Sequence, residues 1–455
     1  MSKSNLTYFS QFLISFLTCF LLFSTRIEWY EVLAVSIFFF FLLKFIFDLG
    51  TSLSIRNIMA LVIVMQWLLG PVLGYIYNDF VYSSYRMNLP KTDYFSFILP
   101  ASLAYFVGLY LLLHKQTQRY NFKEYPINYY QKGKFFIIIG FVTGLLPIGF
   151  LAYIFGGLKF VGLFYMFASN NKNKYAWIIP VFGLLIATSL ANGLFHDLIL
   201  WGSFFLMMFF IFNQTKFLRR FIFVFSGLLL VVFLQFIKGD YRAIIWNNQA
   251  LSTNKAEIFY NIATNKLFGH EPIFSDESVS SNVVRINQGW IIAKVIEYVP
   301  AHEPYANGAT IKDAVIASIF PRFLMPDKVE AGGQANMLKY AGVTLVGTSM
   351  DIGQVGEAWA NFGYWGGIIY MFILGLFFNL VITIIEKKSL KYPDLVFFIP
   401  LIFLQAIKAE TSLATVLNHV IKTAIVVWFF FSPWGDSLIN SKFQLKKKKS
   451  TTLLN

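Results

Sequence analysis

The chain has 455 residues, of which 57% are hydrophobic and only 13% charged, a balance that excludes an ordinary soluble domain. A net charge of +14 raises the question of nucleic acid, but the Lys and Arg residues sit in short clusters between apolar stretches, the positive-inside pattern of a membrane protein. The single cysteine, Cys19, excludes a disulfide framework and a cysteine metal cluster.

A spanning helix needs about twenty mostly apolar residues. In chain order such stretches fall at 8–25, 31–49, 58–77, 94–113, 135–156, 175–192, 197–213, 221–237, 361–385, 394–409 and 415–433. The first, after the lone Lys3 and without a small-residue cleavage site, reads as a retained helix and not a signal peptide. Phenylalanine runs such as Phe38-Phe39-Phe40-Phe41 and Phe429-Phe430-Phe431 suit acyl chains or neighbouring helices. The fold class expected is an all-α polytopic membrane protein of about 11–12 transmembrane helices with one large extracytoplasmic loop.

Basic clusters mark the expected cytoplasmic face: Lys115, Arg119, Lys123, Lys132 and Lys134; Lys216, Arg219 and Arg220; Lys387, Lys388 and Lys391; and the closing Lys446-Lys447-Lys448-Lys449. The last is also placed to touch anionic lipid. The helix at 221–237 leaves Arg219-Arg220, so the chain after Lys238 emerges outside and returns through 361–385. The last two helices then form a hairpin with Glu410 to Leu417 as its outer turn. Two cytoplasmic termini demand an even number of spans, and eleven is odd. The weak region is 157–196, where Gly156 to Ala168 is apolar but broken by Lys159 and reads as a half-helix or interfacial segment.

These assignments divide the chain into an N-terminal membrane bundle (1–237), an extracytoplasmic cap (238–360), C-terminal membrane helices (361–433) and a basic tail (434–455). The cap carries about twelve of the 23 acidic residues. Its Asn247-Asn248-Gln249 cluster and its amphipathic stretches, Gly289 to Tyr298 and Ile311 to Phe320, are more than a linker needs. A folded cap over the bundle is expected, and a natural home for substrate contacts.

No P-loop, zinc-site spacing, Rossmann fingerprint or Gly-x-Ser-x-Gly elbow occurs in context. The groups that stand out are Arg242, Arg285 and Arg322, because a guanidinium holds phosphate through paired hydrogen bonds and keeps its charge. Arg322 lies between Pro321 and Pro326 with Lys328 behind it, on stiff backbone. An arginine just past a helix end serves equally as a headgroup anchor. Glu357, in Gly353-Gln354-Val355-Gly356-Glu357, is the carboxylate expected at the outer rim, as a general base, a partner for an arginine, or an acid in the first turn of a helix. His302 and Glu303 are candidate site polars or ordinary loop residues. Gly363, Gly366 and Gly367 suit close helix packing. Lys408, Glu410, His419 and Lys422 lie at membrane depth, where ionisable groups are functional candidates, although Lys408 and Glu410 are placed to pair.

Many hydrophobic helices followed by a large outer loop with Tyr241-Arg242, Arg285 with Gln288-Gly289, Pro321-Arg322 with Pro326-Asp327-Lys328, and Glu357 entering the next helix resembles bacterial O-antigen polymerases of the Wzy type, the oligosaccharide repeat unit polymerases. Arg322 and Gly333 fit the family's Arg with a Gly eleven residues later. The resemblance implies a GT-C-like glycosyltransferase of the bacterial cytoplasmic membrane that joins polyprenyl-diphosphate-linked repeat units at its outer face, without metal, nucleotide sugar or other cofactor. It implies Arg322, Arg285 and Lys328 on the diphosphate, and Glu357 or His302 activating the acceptor hydroxyl. Arg242, Tyr241, Gln288, Trp290 and Trp359 would line the substrate, with Trp246 and Trp365 as further stacking or interfacial aromatics. Partners implied are lipid-linked donor and acceptor, membrane lipid, a chain-length regulator and a flippase, and no nucleic acid. An O-antigen ligase and a lipid-linked oligosaccharide transporter are the alternatives; the concentration of polar residues in one loop and the absence of a visible repeat favour catalysis over transport.

Overall fold

The computed structural model describes residues 15, 28–50, 53–111, 122, 127–193, 195–213, 215–246, 254–268, 276–320, 333–345, 350–435, 437 and 439. The protein is an all-α polytopic membrane protein. Among the described residues no strand occurs, and eight helices are long and apolar enough to cross a bilayer. Helices satisfy every backbone polar group internally, which is what lipid requires of a spanning segment.

The N-terminal bundle comprises α1 (Trp29–Asp48), α2 (Ile55–Ile76), α3 (Lys91–Tyr110), α4 (Tyr129–Gly144), α5 (Phe150–Ala168), α6 (Tyr175–Asn192), α7 (His196–Phe212) and α8 (Phe217–Trp246). The segment expected at 8–25 lies outside the described residues. The loop region folds into α9 (Lys255–Phe268), α10 (Asp276–Ile286), α11 (Gly289–Tyr298), α12 (Ala309–Ile319) and α13 (Gln334–Ala341). The C-terminal helices are α14 (Gly353–Ser389), α15 (Pro393–Phe403, opening as a 3₁₀ turn) and α16 (Leu413–Phe430).

The stretch 135–156 is not one span. It is the antiparallel hairpin α4–α5, turning at 145–149, where Pro147 cannot continue a helix and Gly149 takes φ +58°. The turn escapes detection in sequence because Leu145, Leu146 and Ile148 are apolar, and all three are exposed, as befits contact with lipid. Gly156 to Ala168 is accordingly the second half of α5 and not a half-helix. The division thus makes two helices of one expected stretch among the described residues.

Hydrogen bonds between helix termini sort them into two ends. Arg56 at the start of α2 pairs with Glu386 near the end of α14 at 2.7 Å, and Lys132 at the start of α4 pairs with Asp394 at the start of α15 at 2.9 Å. Arg220 at the start of α8 donates to the Phe47 carbonyl of α1 at 3.2 Å, and Tyr110 of α3 donates to Asn57 of α2. One end of the bundle is therefore the basic end. At the other, Lys91 of α3 meets the buried Glu31 of α1 at 3.1 Å, and there α8 and α14 hand the chain to the loop helices. Both run deeper into the expected cap than 238–360 allowed, α8 to Trp246 and α14 back to Gly353. Within α14, Gly363 (φ +63°, ψ −151°) breaks the helix instead of packing it, while Gly367 lies against Phe97 of α3.

Candidate functional site

The site begins with a defect in α2. Between Val64 and Leu69 the helix widens to π geometry, which releases carbonyls from the regular ladder; such bulges recur at functional sites. The Gln66 carbonyl accepts from the Gln288 backbone N–H at 3.1 Å, and the Trp67 carbonyl accepts from Tyr94 at 3.0 Å. Just beyond, Gly70 and Gly74 carry no Cβ, and one at Gly70 would lie 2.6 Å from the Ile286 carbonyl. The loop segment 286–289 thus seats directly on the α2 backbone. Asn287 closes its turn by accepting from the Gly289 N–H at 2.8 Å, and the Gln288 side chain donates to the Asp351 carbonyl at 3.2 Å.

Over this seat opens a cavity of about 900 Å³, in the range of small-molecule sites. Its cations come from three parts of the chain: Lys238 and Arg242 from the loop end of α8, Arg285 from the last turn of α10, and Lys408 from the turn between α15 and α16. Among the described residues two carboxylates, Asp351 and Glu410, share the wall with these four. The Arg285 guanidinium lies against Gly239, close enough that a Cβ there would stand 3.0 Å from Nη2. Arg242 donates through Nε to the Gly193 carbonyl at 2.7 Å, which fixes its stem. Lys238 feels both arginines, and Arg242 feels Arg285. Among the described residues neither Lys238 nor Arg285 has a salt bridge, and burial pulls the Arg285 pKa below its usual value. Four cations facing two carboxylates on one wall leave an excess of fixed positive charge, which is the electrostatic make-up of a preorganised anion site.

The opposite wall carries Asp351, whose Oδ1 accepts from the Ile352 N–H at 2.8 Å and from Asn336 at 3.2 Å. Burial raises its carboxyl pKa above the ordinary aspartate range, the direction that suits a general base. His196, Gln66, Gln405 and Thr415 complete the polar lining, and Trp290 stands edge-on to Tyr85 at 5.0 Å. The Gln66 Oε1 and Glu410 Oε2 atoms are buried without a hydrogen-bond partner among the described residues.

Of the residues singled out in sequence, Arg285, Arg242, Gln288 and Trp290 meet on this cavity, while Arg322 and Lys328 lie outside the described residues. The others are elsewhere. Tyr241 is fully buried in a small apolar cluster with Phe195 and donates to the Leu190 carbonyl at 2.7 Å, so it anchors α8 to α6 and does not reach the cavity. Glu357 is 2% exposed; it accepts from the Leu413 N–H at 2.9 Å and from Thr310, capping α16 and tying α12 to α14. A carboxylate spent on a helix N-terminus is a structural lock. His302 is exposed and stacks on Tyr298 at 4.8 Å, away from the cavity wall. Trp359 donates to the Val299 carbonyl at 2.8 Å and packs on Phe97, filling the α3–α14 seam. Lys408 stands 4.0 Å from Asp197, and that pair, not one with Glu410, is formed. His419 binds the Leu401 carbonyl within the bundle, and Trp365 is 73% exposed, as a lipid-facing ring would be.

Sequence reasoning missed Lys238, His196, Gln66 and Asp351 as cavity residues. Lys238 was legible only as a boundary marker, and Gln66 as a lone amide in an apolar span, itself a signal at membrane depth. No protein-family model, curated protein or solved structure matches the chain.

Proposed function

We propose that the protein is a membrane glycosyltransferase of the oligosaccharide repeat unit polymerase kind, acting on polyprenyl-diphosphate-linked sugars at the outer face of a bacterial cytoplasmic membrane. The observation that carries this reading is the cluster of Lys238, Arg242, Arg285 and Lys408 around a polar cavity of about 900 Å³ at the loop end of a membrane bundle. The positive-inside rule puts the opposite, basic end in the cytoplasm, so the cavity faces outward. A diphosphate is the anion that a bilayer-borne sugar donor presents at that depth, and guanidinium groups match its oxygens.

In the reaction, an acceptor hydroxyl forms its bond to the anomeric carbon of the donor sugar while the bond from that carbon to the diphosphate oxygen breaks and its electron pair leaves with the diphosphate. Negative charge grows on the leaving group, so fixed cations stabilise the transition state more than the ground state. Of the two carboxylates on the cavity wall, Asp351 and Glu410, Asp351 is the one held in place by the Ile352 N–H and Asn336, and it is assigned to take the hydroxyl proton; neither Glu357 nor His302 lines the cavity. Trp290 and Tyr85 offer the aromatic edge beside which a sugar ring can lie. The test is Arg285→Ala in the native host with surface polysaccharide resolved by length. A polymerase so impaired leaves single repeat units attached; loss of all attached units would mark a ligase, and an unchanged ladder of long chains would refute the reading.

A further inference from the structure

A second cavity, of about 260 Å³, lies between α5, α6 and α7. It is walled off from the first by two contacts: Lys408 with Asp197 at 4.0 Å, and Gln405 donating to the Tyr153 hydroxyl at 3.4 Å. Gln405 and Lys408 line the first cavity, Tyr153 and Asp197 the second. Its volume would hold roughly nine waters at the liquid share of about 30 Å³ each, more than a structural water needs. Two polar groups point to an occupant. Lys159, the tenth of the nineteen residues of α5, lines the cavity with no ion pair among the described residues; its ammonium rests 5.1 Å and 5.6 Å from the rings of Phe160 and Phe141. Ser189, 4% exposed, also lines the cavity with its hydroxyl. A lysine at this depth of a spanning helix is costly unless something anionic meets it; Asp197 on the same lining attracts Lys159 but is shared with Lys408 at 4.0 Å, which leaves one cation in excess.

The occupant comes from the bilayer. The wall formed by α6 belongs to one of the least buried of the membrane helices, and Thr188 on the cavity lining is exposed. Such a groove is reached sideways, through the leaflet, and the anionic group that bilayer lipids carry is a phosphate ester. Asp197 at the loop end repels an anion and is offset by Lys408, which sets the phosphate lower, at Lys159 and Ser189. We infer that the α5–α6–α7 cavity is a lipid-phosphate site, with Lys159 as its cation and Ser189 as a hydrogen-bond donor. This inference does not rest on the polymerase reading.

Two sources share that chemistry, an anionic phospholipid and a polyprenyl phosphate. The full chain is placed in phosphatidylcholine nanodiscs containing either phosphatidylglycerol or a polyprenyl phosphate, and retained lipid is counted by native mass spectrometry. Wild type is expected to retain one or both; Lys159→Met binds about fivefold more weakly, the effect of one cation beside an anionic headgroup, and Lys159→Arg restores binding. Retention of phosphatidylglycerol identifies an ordinary headgroup site, and preference for the polyprenyl phosphate identifies a carrier site. Where Lys159→Met fails to fold by gel filtration, Ser189→Ala gives the same reading through weakened retention. Equal retention by wild type and a folded variant, or no anionic lipid on wild type, overturns the inference.

Discussion

Replacing Asp351 by Asn separates the proposed general base from Glu357 and His302, the candidates that the resemblance implied for that role. The amide oxygen of Asn still accepts from the Ile352 N–H and from Asn336, so the turn that Asp351 organises is kept. What is lost is the ability to take a proton, worth about 10²–10⁴-fold in rate for a positioned base. The assay is polymer formation from lipid-linked repeat units in proteoliposomes across a range of pH. Wild type is expected to lose activity on acidification as Asp351 protonates, at a pH above that of a free aspartate because burial raises its pKa; the variant is slow throughout and has no such limb. Stability moves the other way. A carboxyl with a raised pKa in the folded state binds its proton more tightly there, so ionisation above the unfolded pKa costs stability as pH rises. Asp351→Asn should therefore melt above wild type at neutral pH, with the difference vanishing in acid. An acid limb that survives unchanged in Asp351→Asn would refute the assignment.

Two further outcomes follow from the packing. Glu357→Ala removes the cap of α16 and the tie to Thr310; a lost cap costs about 0.5–2 kcal/mol, so the melting temperature falls, whereas Glu357→Gln, which keeps an acceptor, retains most activity at saturating substrate. A dead but fully stable Glu357→Gln would return Glu357 to the chemistry. Gly70→Val drives a side chain into the Ile286 carbonyl and costs about 1–3 kcal/mol as overpacking; proteolysis should then cut the 276–289 region faster than in wild type, and an unchanged digestion pattern would mean that the loop does not seat on α2 in solution.

The sequence by itself determined the membrane class, most spanning segments, the basic end and the location of the polar loop, because hydrophobicity over about twenty residues and the placement of Lys and Arg are local properties. It also brought out Arg285, Arg242, Gln288 and Trp290. The turn at 145–149 was hidden, since Leu145, Leu146 and Ile148 continue the hydropathy of the helices on either side. The roles of Glu357, His302, Tyr241 and Trp359 were decided only by the tertiary structure: each has the chemistry of a site residue, and each is committed to a cap, a stack or a seam by partners distant in the chain. Lys238, His196, Gln66, Asp351 and Lys408 come from five separate stretches, and no spacing records that they share one cavity. Local sequence fixes which side chains can carry charge into the membrane; the folding of α2, α8, α10 and the α15–α16 turn around one space decides which of them act on the same ligand.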